Sequence, residues 1–411
     1  VTRLLPAEPW RRNQYVTAAM VFVVFTAFAF VLPFLPLYVR QLGVRGDDAV
    51  ALWAGVLIGV APLLAGMLAP VWGRLADRYG QKRMAARALA AYVVLLALSA
   101  AVTSVEQLLA LRVGVGLFGG IGPLGLAMAT SLAPREQTGR AVGMIQAAQI
   151  LSAAVGPLLG GLLADVVGIR WTFLVTAALC AGALVLLSVH YEESPPAPAT
   201  AAPRSPFAEV LRLPGTATLL TVLFLVNFIG RSFTPILPLY IQGLGVPASR
   251  LAVATGLLIS LYSVAAALSA AWLGRISRHR SPRALLVATL VGGALTVLPM
   301  AMAPSFAWLL ALAVLLGLAS GGSLTLCYTM GGLMVPEGIR TTAFGFFSGA
   351  ALFGGAISPS VAGLLARWDL RGIYYLDAVL FVALTLALLP GARRSAAARG
   401  AGPVASGERV G

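Results

Sequence analysis

A few polar side chains stand out in this chain because their neighbours are almost wholly apolar. Arg112 sits in the run Leu108-x-x-x-Arg112-x-x-x-Gly116, and Asn227 and Arg231 lie one helical turn apart on one face of another run. A guanidinium within a lipid-spanning run is expensive and normally faces a bundle interior or a wet cavity. Arg112 lies near the outer end of its run, so snorkelling to the interface is its other reading. Asn227 and Arg231 read either as a cavity-facing pair that touches a bound compound or bridges to another run, or as a structural ion pair, for instance with Asp377. Proton transfer needs Asp, Glu or His, and the cores of the first, fourth, seventh and tenth runs hold none. Asp77, Asp165 and Asp377 lie at or near run ends, which leaves these three and Arg112 as candidates for coupling to protons. His190 and His279 fall in inner loops. No run pairs Ser with His or two Asp, so catalysis is not expected. Cys180 and Cys327 have neither metal spacing nor a disulfide framework, and no metal or cofactor is expected.

The elements that position these residues follow from composition. Of 411 residues, 59% are hydrophobic and 10% charged, with mean hydropathy +0.91. A soluble globule carries about 25% charged residues, so the solvent of this chain is lipid. Apolar runs fall at 15–39, 50–73, 84–103, 107–132, 140–165 and 171–190, then at 216–242, 251–274, 284–303, 306–334, 342–366 and 372–391. Each is close to the roughly 20 residues that cross a bilayer as a helix. The fold expected is an all-α membrane protein of twelve helices in two six-helix halves. The net charge of +15 is topological: most of the 29 Lys and Arg fall in alternate loops and the two tails, which places both termini in the cytoplasm and excludes a nucleic-acid surface. Arg11-Arg12 precedes a first run too long for a signal h-region, so an uncleaved first helix is expected.

The two halves repeat one another about 202 residues apart. Pro33-Phe34-Leu35-Pro36-Leu37-Tyr38 returns as Pro235-Ile236-Leu237-Pro238-Leu239-Tyr240, and Leu42-Gly43-Val44 as Leu244-Gly245-Val246. Gly119-Gly120 matches Gly321-Gly322, and Pro157 matches Pro359. Six runs per half give parallel repeats related by an axis along the membrane normal, the construction of transporters that rock one half against the other. Domain limits are 1–190 for the first half, 191–214 for a Pro/Ala-rich cytoplasmic linker carrying Glu192-Glu193, 215–391 for the second half and 392–411 for a disordered tail. A short amphipathic helix is expected near Phe207–Leu213.

Between the second and third runs lies Gly73-Arg74-Leu75-Ala76-Asp77-Arg78-Tyr79-Gly80-Gln81-Lys82-Arg83. It is a tight basic turn suited to anionic headgroups, with Asp77 as a lone carboxylate that can pair with Arg78 or Arg74 or sit against the positive end of a neighbouring helix. This block resembles the Gly-x-Leu-Ala-Asp-Arg-x-Gly-(Arg)-Lys-Arg turn of the major facilitator superfamily, with Gln81 at one basic position. The resemblance implies a cytoplasmic latch at Gly73, Asp77, Arg78, Gly80 and Arg83, with Asp77 docking near Thr341-Thr342. In the second half Arg278 stands in the place of Asp77, so the latch is one-sided. The fifth run carries Gly143, Ser152, Gly156-Pro157 and Gly160-Gly161, small residues that let helices approach closely and a proline that bends the run. Its spacing resembles the Gly-x8-Gly-x3-Gly-Pro-x2-Gly-Gly motif of the drug:proton antiporters of that superfamily, with Ser152 at one Gly position. Arg112 resembles the buried Arg of the same antiporters, with Val115 where Gln is common.

The resemblance implies a secondary active transporter exporting hydrophobic drug-like molecules against protons, as a monomer in the bacterial inner membrane. Its partners would be a small-molecule substrate, protons and the bilayer. Candidate cavity residues are Asn227, Arg231, Gln146, Gln149, Phe25, Tyr38, Tyr262 and Tyr328; the phenylalanines suit a greasy pocket and lipid contact equally. Two span arginines and no span acid favour anionic, zwitterionic or neutral compounds. The alternatives are a sugar or metabolite transporter of the same fold, or a transporter-like sensor.

Overall fold

The computed structural model describes residues 8–130, 137–193, 212–213, 215–336 and 340–400, and every regular element among them is helical. Lipid offers no partner for a free backbone N–H or C=O, so an apolar chain closes its hydrogen bonds within each helix. In the first half, span one is Pro9–Ala29, a 3-10 turn at Leu32–Phe34 and Leu35–Gln41. Spans two and three are Asp47–Tyr79 and Gln81–Ser99. Span four is Val105–Leu117 with Ile121–Thr130, and spans five and six are Thr138–Val167 and Ile169–His190. In the second half, span seven is Thr216–Ser232 with Leu237–Gly243, and spans eight and nine are Leu251–Ile276 and Pro282–Met300. Span ten is Phe306–Ser320 with Ser323–Met334, and spans eleven and twelve are Arg340–Leu365 and Gly372–Gly400.

Among the described residues, 10 of these helical runs are long and apolar enough to cross a membrane, and span seven makes 11 as a pair bent by 45°. Span three falls outside that set because Lys82, Arg83 and Arg87 crowd its first turns, yet it packs between spans four and six like the others. Span twelve runs on to Gly400, past Arg393, where composition predicts a disordered tail; alanines and arginines there are good helix formers. The rest of the tail and most of the linker lie outside the described residues.

Helix neighbours are repeated as the sequence is. Spans one and five pair as seven and eleven do, two and four as eight and ten, and three and six as nine and twelve. The double glycines break spans four and ten, and Gly120 takes φ +117°, which favours glycine. The break frees the carbonyls of Leu117 and Phe118. Trp72 Nε1 donates to the first at 3.0 Å and Arg87 Nη2 to the second at 3.2 Å, while the Arg87 guanidinium stacks 3.5 Å over the Trp72 ring.

The Pro-Leu-Tyr block also has a structural explanation. Tyr38 donates its hydroxyl at 2.8 Å to the carbonyl of Ser99, the last residue of span three, and its ring lies against Phe173. Tyr240 donates at 2.7 Å to Met300, the last residue of span nine, with its ring against Tyr374. Tyr38 gives the Ser99 carbonyl a donor at its helix end, and Tyr240 adds a second donor to the Met300 carbonyl, which also accepts from the Ala303 N–H at 3.3 Å. Tyr38 is fully buried, so it is not a cavity residue. Changing Tyr38 or Tyr240 to Phe is expected to cost about 1 kcal/mol of stability, one buried hydrogen bond, while transport stays close to wild type. Thermal unfolding in detergent beside a transport assay checks this.

Candidate functional site

The two halves meet along spans two and eleven and along spans five and eight. The end bearing residues 42–46, outer by the positive-inside reading of the sequence, is called the outer end. There the halves touch backbone to backbone. A Cβ built on Gly256 would lie 2.1 Å from the Pro157 carbonyl oxygen, and one on Gly161 would lie 2.4 Å from that of Ala252. Spans two and eleven make the same two contacts: Gly55 at 2.2 Å from the Pro359 oxygen and Gly363 at 2.4 Å from that of Ala51. Gly59 approaches the Ala356 oxygen at 2.4 Å in the same way. Only glycine admits such contacts, and the seal is made twice because the sequence is.

Charged and polar groups reinforce this end. Asp165, at the outer end of span five, accepts from the backbone N–H of Val253 at 3.0 Å, in the first turn of span eight. A carboxylate there offsets the positive pole of the helix. Leu158 N–H donates to Ser260 Oγ across the same seam at 3.1 Å. Arg40 of span one donates to Gln242 of span seven at 2.5 Å and pairs with Asp47; Arg40 and Gln242 are repeat mates, 202 residues apart.

Span five shows how its small residues divide the labour. Ser152, Gly156 and Gly160 face span one: Ser152 Oγ donates at 2.9 Å to the Phe22 carbonyl, and Cβ atoms on Gly156 and Gly160 would lie 2.5 Å from Ala29 Cβ and 2.4 Å from Phe30 Cα. Pro157 and Gly161 face span eight. Ser152 is tolerated at a glycine position because its hydroxyl bonds the carbonyl that its repeat mate Gly354 meets as bare backbone, with a Cβ 2.0 Å from the Phe224 oxygen. Gly143 has nothing within 4 Å, so it takes no part in packing in this conformation.

Toward the inner end the halves separate. Gly73, Gly143, Gly345 and Gly349 have open space where a Cβ would be. Gln146 lies eleven residues before Pro157, three helical turns down the same stripe, and is exposed; Gln149 is half-buried. Asp77 is exposed and makes no ion pair among the described residues, and the side chains of Thr341 and Thr342 lie outside the described set. The expected docking of Asp77 near Thr341-Thr342 therefore falls outside the described residues. Arg78 lies over the Tyr79 ring at 5.2 Å and Arg83 is exposed.

The inner turn is instead held by residues that motif reading passed over. Gly80 takes φ +97°, and a Cβ there would lie 2.2 Å from Glu193 Oε1. That oxygen accepts from Lys82 N–H at 3.1 Å, capping the start of span three, while Lys82 Nζ donates to the carbonyls of Ser188 at 2.9 Å and Tyr191 at 2.7 Å. Glu192 forms an ion pair with Arg12 and exchanges two backbone hydrogen bonds with the Asn13 amide, at 2.8 and 3.0 Å. The two adjacent acids at the start of the linker were the legible signal.

Between the outer seal and the inner end lie the remaining candidate side chains. Asn227 and Arg231 flank Gly355 of span eleven, whose Cβ would lie 3.4 Å from Arg231 Cγ. Arg231 is exposed although it sits in the middle of the bundle, as a cavity-lining residue is. Tyr262 of span eight is its electrostatic neighbour and packs edge-on against Phe233 at 5.7 Å. No ion pair joins Arg231 to Asp377 among the described residues. Phe25 is half-buried against Gly122, and Tyr328 stacks on Phe344 at 6.0 Å. Arg112 is 2% exposed and donates Nε–H to the Leu57 carbonyl at 3.0 Å, so it does not snorkel. Asp377 is fully buried rather than at a membrane surface.

A helical bundle of two repeated halves, sealed at one end and open at the other around a polar wall, is a transporter architecture. The family profile of the Major Facilitator Superfamily matches residues 17–279 and 252–405, and the chain belongs to that superfamily of multi-pass membrane transporters for small molecules. It is 34% identical over 325 residues to the "Multidrug resistance protein MdtG" of Yersinia enterocolitica, covering 78% of each chain. The protein of the same name from Salmonella heidelberg is 33% identical over 385 residues, 91% of this chain and 94% of that one. Among solved structures, a bacterial homolog of the human lysosomal transporter Spinster, inward-facing and unoccupied, superposes with TM-score 0.79 at 16% identity, covering 94% and 98% of the two chains. The nucleoside transporter NupG gives 0.72 at 14% identity, covering 92% and 99%.

Proposed function

We propose that the protein is a proton-driven exporter of hydrophobic, drug-like molecules, working by alternating access as a monomer in a bacterial inner membrane with both termini cytoplasmic. The observation that carries this reading is the place of the Gly156-Pro157-Leu158-Leu159-Gly160-Gly161 block, whose spacing resembles that of the drug:proton antiporters. It forms the seam on which the outer end closes, so the export-associated motif is itself part of the gate. The likeness to the MdtG proteins over most of the chain supports the same cargo class. With the basic loops inside, the sealed end faces the periplasm and the cavity opens to the cytoplasm, ready to load. Arg231 beside Asn227, Phe233 and Tyr262 suits anionic or neutral aromatic compounds better than permanent cations.

Asp77 and Asp165 act at opposite ends in this scheme. Asp165 holds the outer end shut through span eight, and Asp77 holds the inner end shut in the alternate state. Each contact is worth about 0.5–2 kcal/mol. Asp165→Asn is expected to raise labelling of a cysteine at Ala252, buried at the outer seam, by an impermeant maleimide, and Asp77→Asn to lower it, with expression intact and export slowed in both. Unchanged export by Asp77→Asn would remove its role as a latch.

The reading is tested in proteoliposomes under an imposed pH gradient with sulforhodamine B (anionic), Nile red (neutral), ethidium (cationic) and labelled xylose. Gradient-driven movement of the first two is expected, with ethidium slow. Movement of xylose and of no dye would make the protein a sugar carrier instead.

A further inference from the structure

We propose that Asp377 of span twelve carries the coupled proton, stored at the hinge of span seven. The proposal rests on the proton-driven reading above and names the group that the reading leaves open. Asp377 is 0% exposed. Its Oδ2 lies 2.5 Å from Ser232 Oγ, while Oδ1 has no hydrogen-bond partner and no cation is paired with it among the described residues. An ionised carboxylate held by one hydroxyl in so apolar a place would lack the hydration that makes charge affordable. The hydroxyl can serve either form: it donates to Asp377 Oδ2 when the carboxylate is ionised and can accept from it when it is protonated. Ser232 Oγ also lies 2.9 Å from the Ile229 carbonyl oxygen, which can only accept. Ser232 has one hydrogen. When it donates that hydrogen to Ile229, the 2.5 Å contact is a full hydrogen bond with Asp377 as donor, and Asp377 then holds a proton.

The position of Ser232 makes that proton mechanical. It is the last residue of Thr216–Ser232, where span seven bends by 45° into Leu237–Gly243. That outer limb carries Gln242, the partner of Arg40 across the closed outer end. The titratable groups around Asp377 are few. Arg231 lies beside Ser232 on span seven, with Tyr240 on the outer limb. Tyr262 on span eight senses Asp377, and Tyr374 on span twelve has a buried hydroxyl without a partner. Spans nine and eleven bring only Arg283 and Arg340, both at their inner ends, and the outer loop brings Arg367, Asp369 and Arg371. None neutralises a buried charge at Asp377.

Protonated Asp377 fits the bent, outer-closed span seven, whereas ionised Asp377 needs water and so favours a hinge that has opened. The cycle follows. Water at the open outer end delivers a proton to Oδ2, and the neutral carboxyl allows the hinge to bend and the outer end to seal without cargo. In the inward-open state the proton leaves to cavity water on the side of Tyr262. The carrier returns outward with cargo and an ionised Asp377.

Two measurements decide this. Infrared difference spectra of the purified wild-type protein at neutral pH should contain a carboxylic-acid C=O stretch that disappears in Asp377→Asn; absence of that band from the wild type, or its survival in the variant, overturns the proposal. In proteoliposomes, Asp377→Asn should lose pH-gradient-driven accumulation of sulforhodamine B by at least about tenfold yet unfold in detergent at the wild-type temperature, as a neutral mimic of the stored acid does. Accumulation at the wild-type level overturns the proposal, and so does loss accompanied by a lowered unfolding temperature, which would make Asp377 a folding residue. Should the wild type itself ignore the gradient, the proton-driven reading fails, and the infrared band still decides whether Asp377 stores a proton.

Discussion

Gly161→Val is expected to reach the membrane in normal amount, to leave the outer end open, and to export at a small fraction of the wild-type rate. The reason is local. A Cβ at Gly161 would sit 2.4 Å from the Ala252 carbonyl oxygen, backbone that cannot swing aside as a side chain could. Overpacking of this kind costs about 1–3 kcal/mol, and branching at Cβ places it at the upper end. Since about 1.4 kcal/mol is a factor of ten in an equilibrium, the outer-closed state should fall about tenfold or more in population. Folding is spared because Gly161 meets the other half rather than its own. Gly256→Val, whose Cβ would lie 2.1 Å from the Pro157 oxygen, should behave alike, as should Gly55→Val and Gly363→Val along the partner seam. Gly143→Ala is the control, with nothing within 4 Å, and should leave outer labelling unchanged. The check is maleimide labelling of a cysteine at the buried Ala252 beside sulforhodamine B export. Normal labelling and normal export in Gly161→Val would show that the seam is not the gate.

The second large effect is one of selectivity. Arg231→Gln should slow export of sulforhodamine B about 10- to 100-fold and leave Nile red nearly untouched. A hydrogen bond to a charged partner contributes about 1.5–3 kcal/mol, and Arg231 is the exposed cation on the cavity wall that the described residues leave without an acidic partner. The neighbouring Phe233–Tyr262 pair is untouched by the change, so apolar contact is kept. An equal loss for both dyes would assign Arg231 to structure, and no loss for either would place the cargo elsewhere.

Much of the fold was legible because lipid leaves so few choices. Long apolar runs become helices, and the repeat predicts which spans are neighbours. Partners and distances were not legible. Tyr38 looked like a cavity group because a tyrosine in a greasy span invites that reading, yet its hydroxyl ends on the carbonyl of Ser99, as that of its repeat mate Tyr240 ends on Met300. The seal by Gly55, Gly256 and Gly363 was hidden because glycine is abundant, 45 in the chain, and spacing does not say which of them meet a carbonyl of the other half. Asp377 looked peripheral from its place near a span start, although its burial depends on the bend of span seven, a tertiary feature. Arg231 and Asn227 stood out by their polarity in an apolar run, and the structure sets them beside Gly355 of span eleven.

Alternating access around the glycine seam is most directly tested by distances. Spin-label pairs at Val167 and Ser249 report the outer ends of spans five and eight, and pairs at Arg140 and Arg278 report their inner ends. Going from acid to alkaline pH with sulforhodamine B present should lengthen the outer distance while the inner one shortens, and Gly161→Val should show the long outer distance at every pH. Outer and inner distances that change together, or not at all, would contradict a transporter that rocks about this seam.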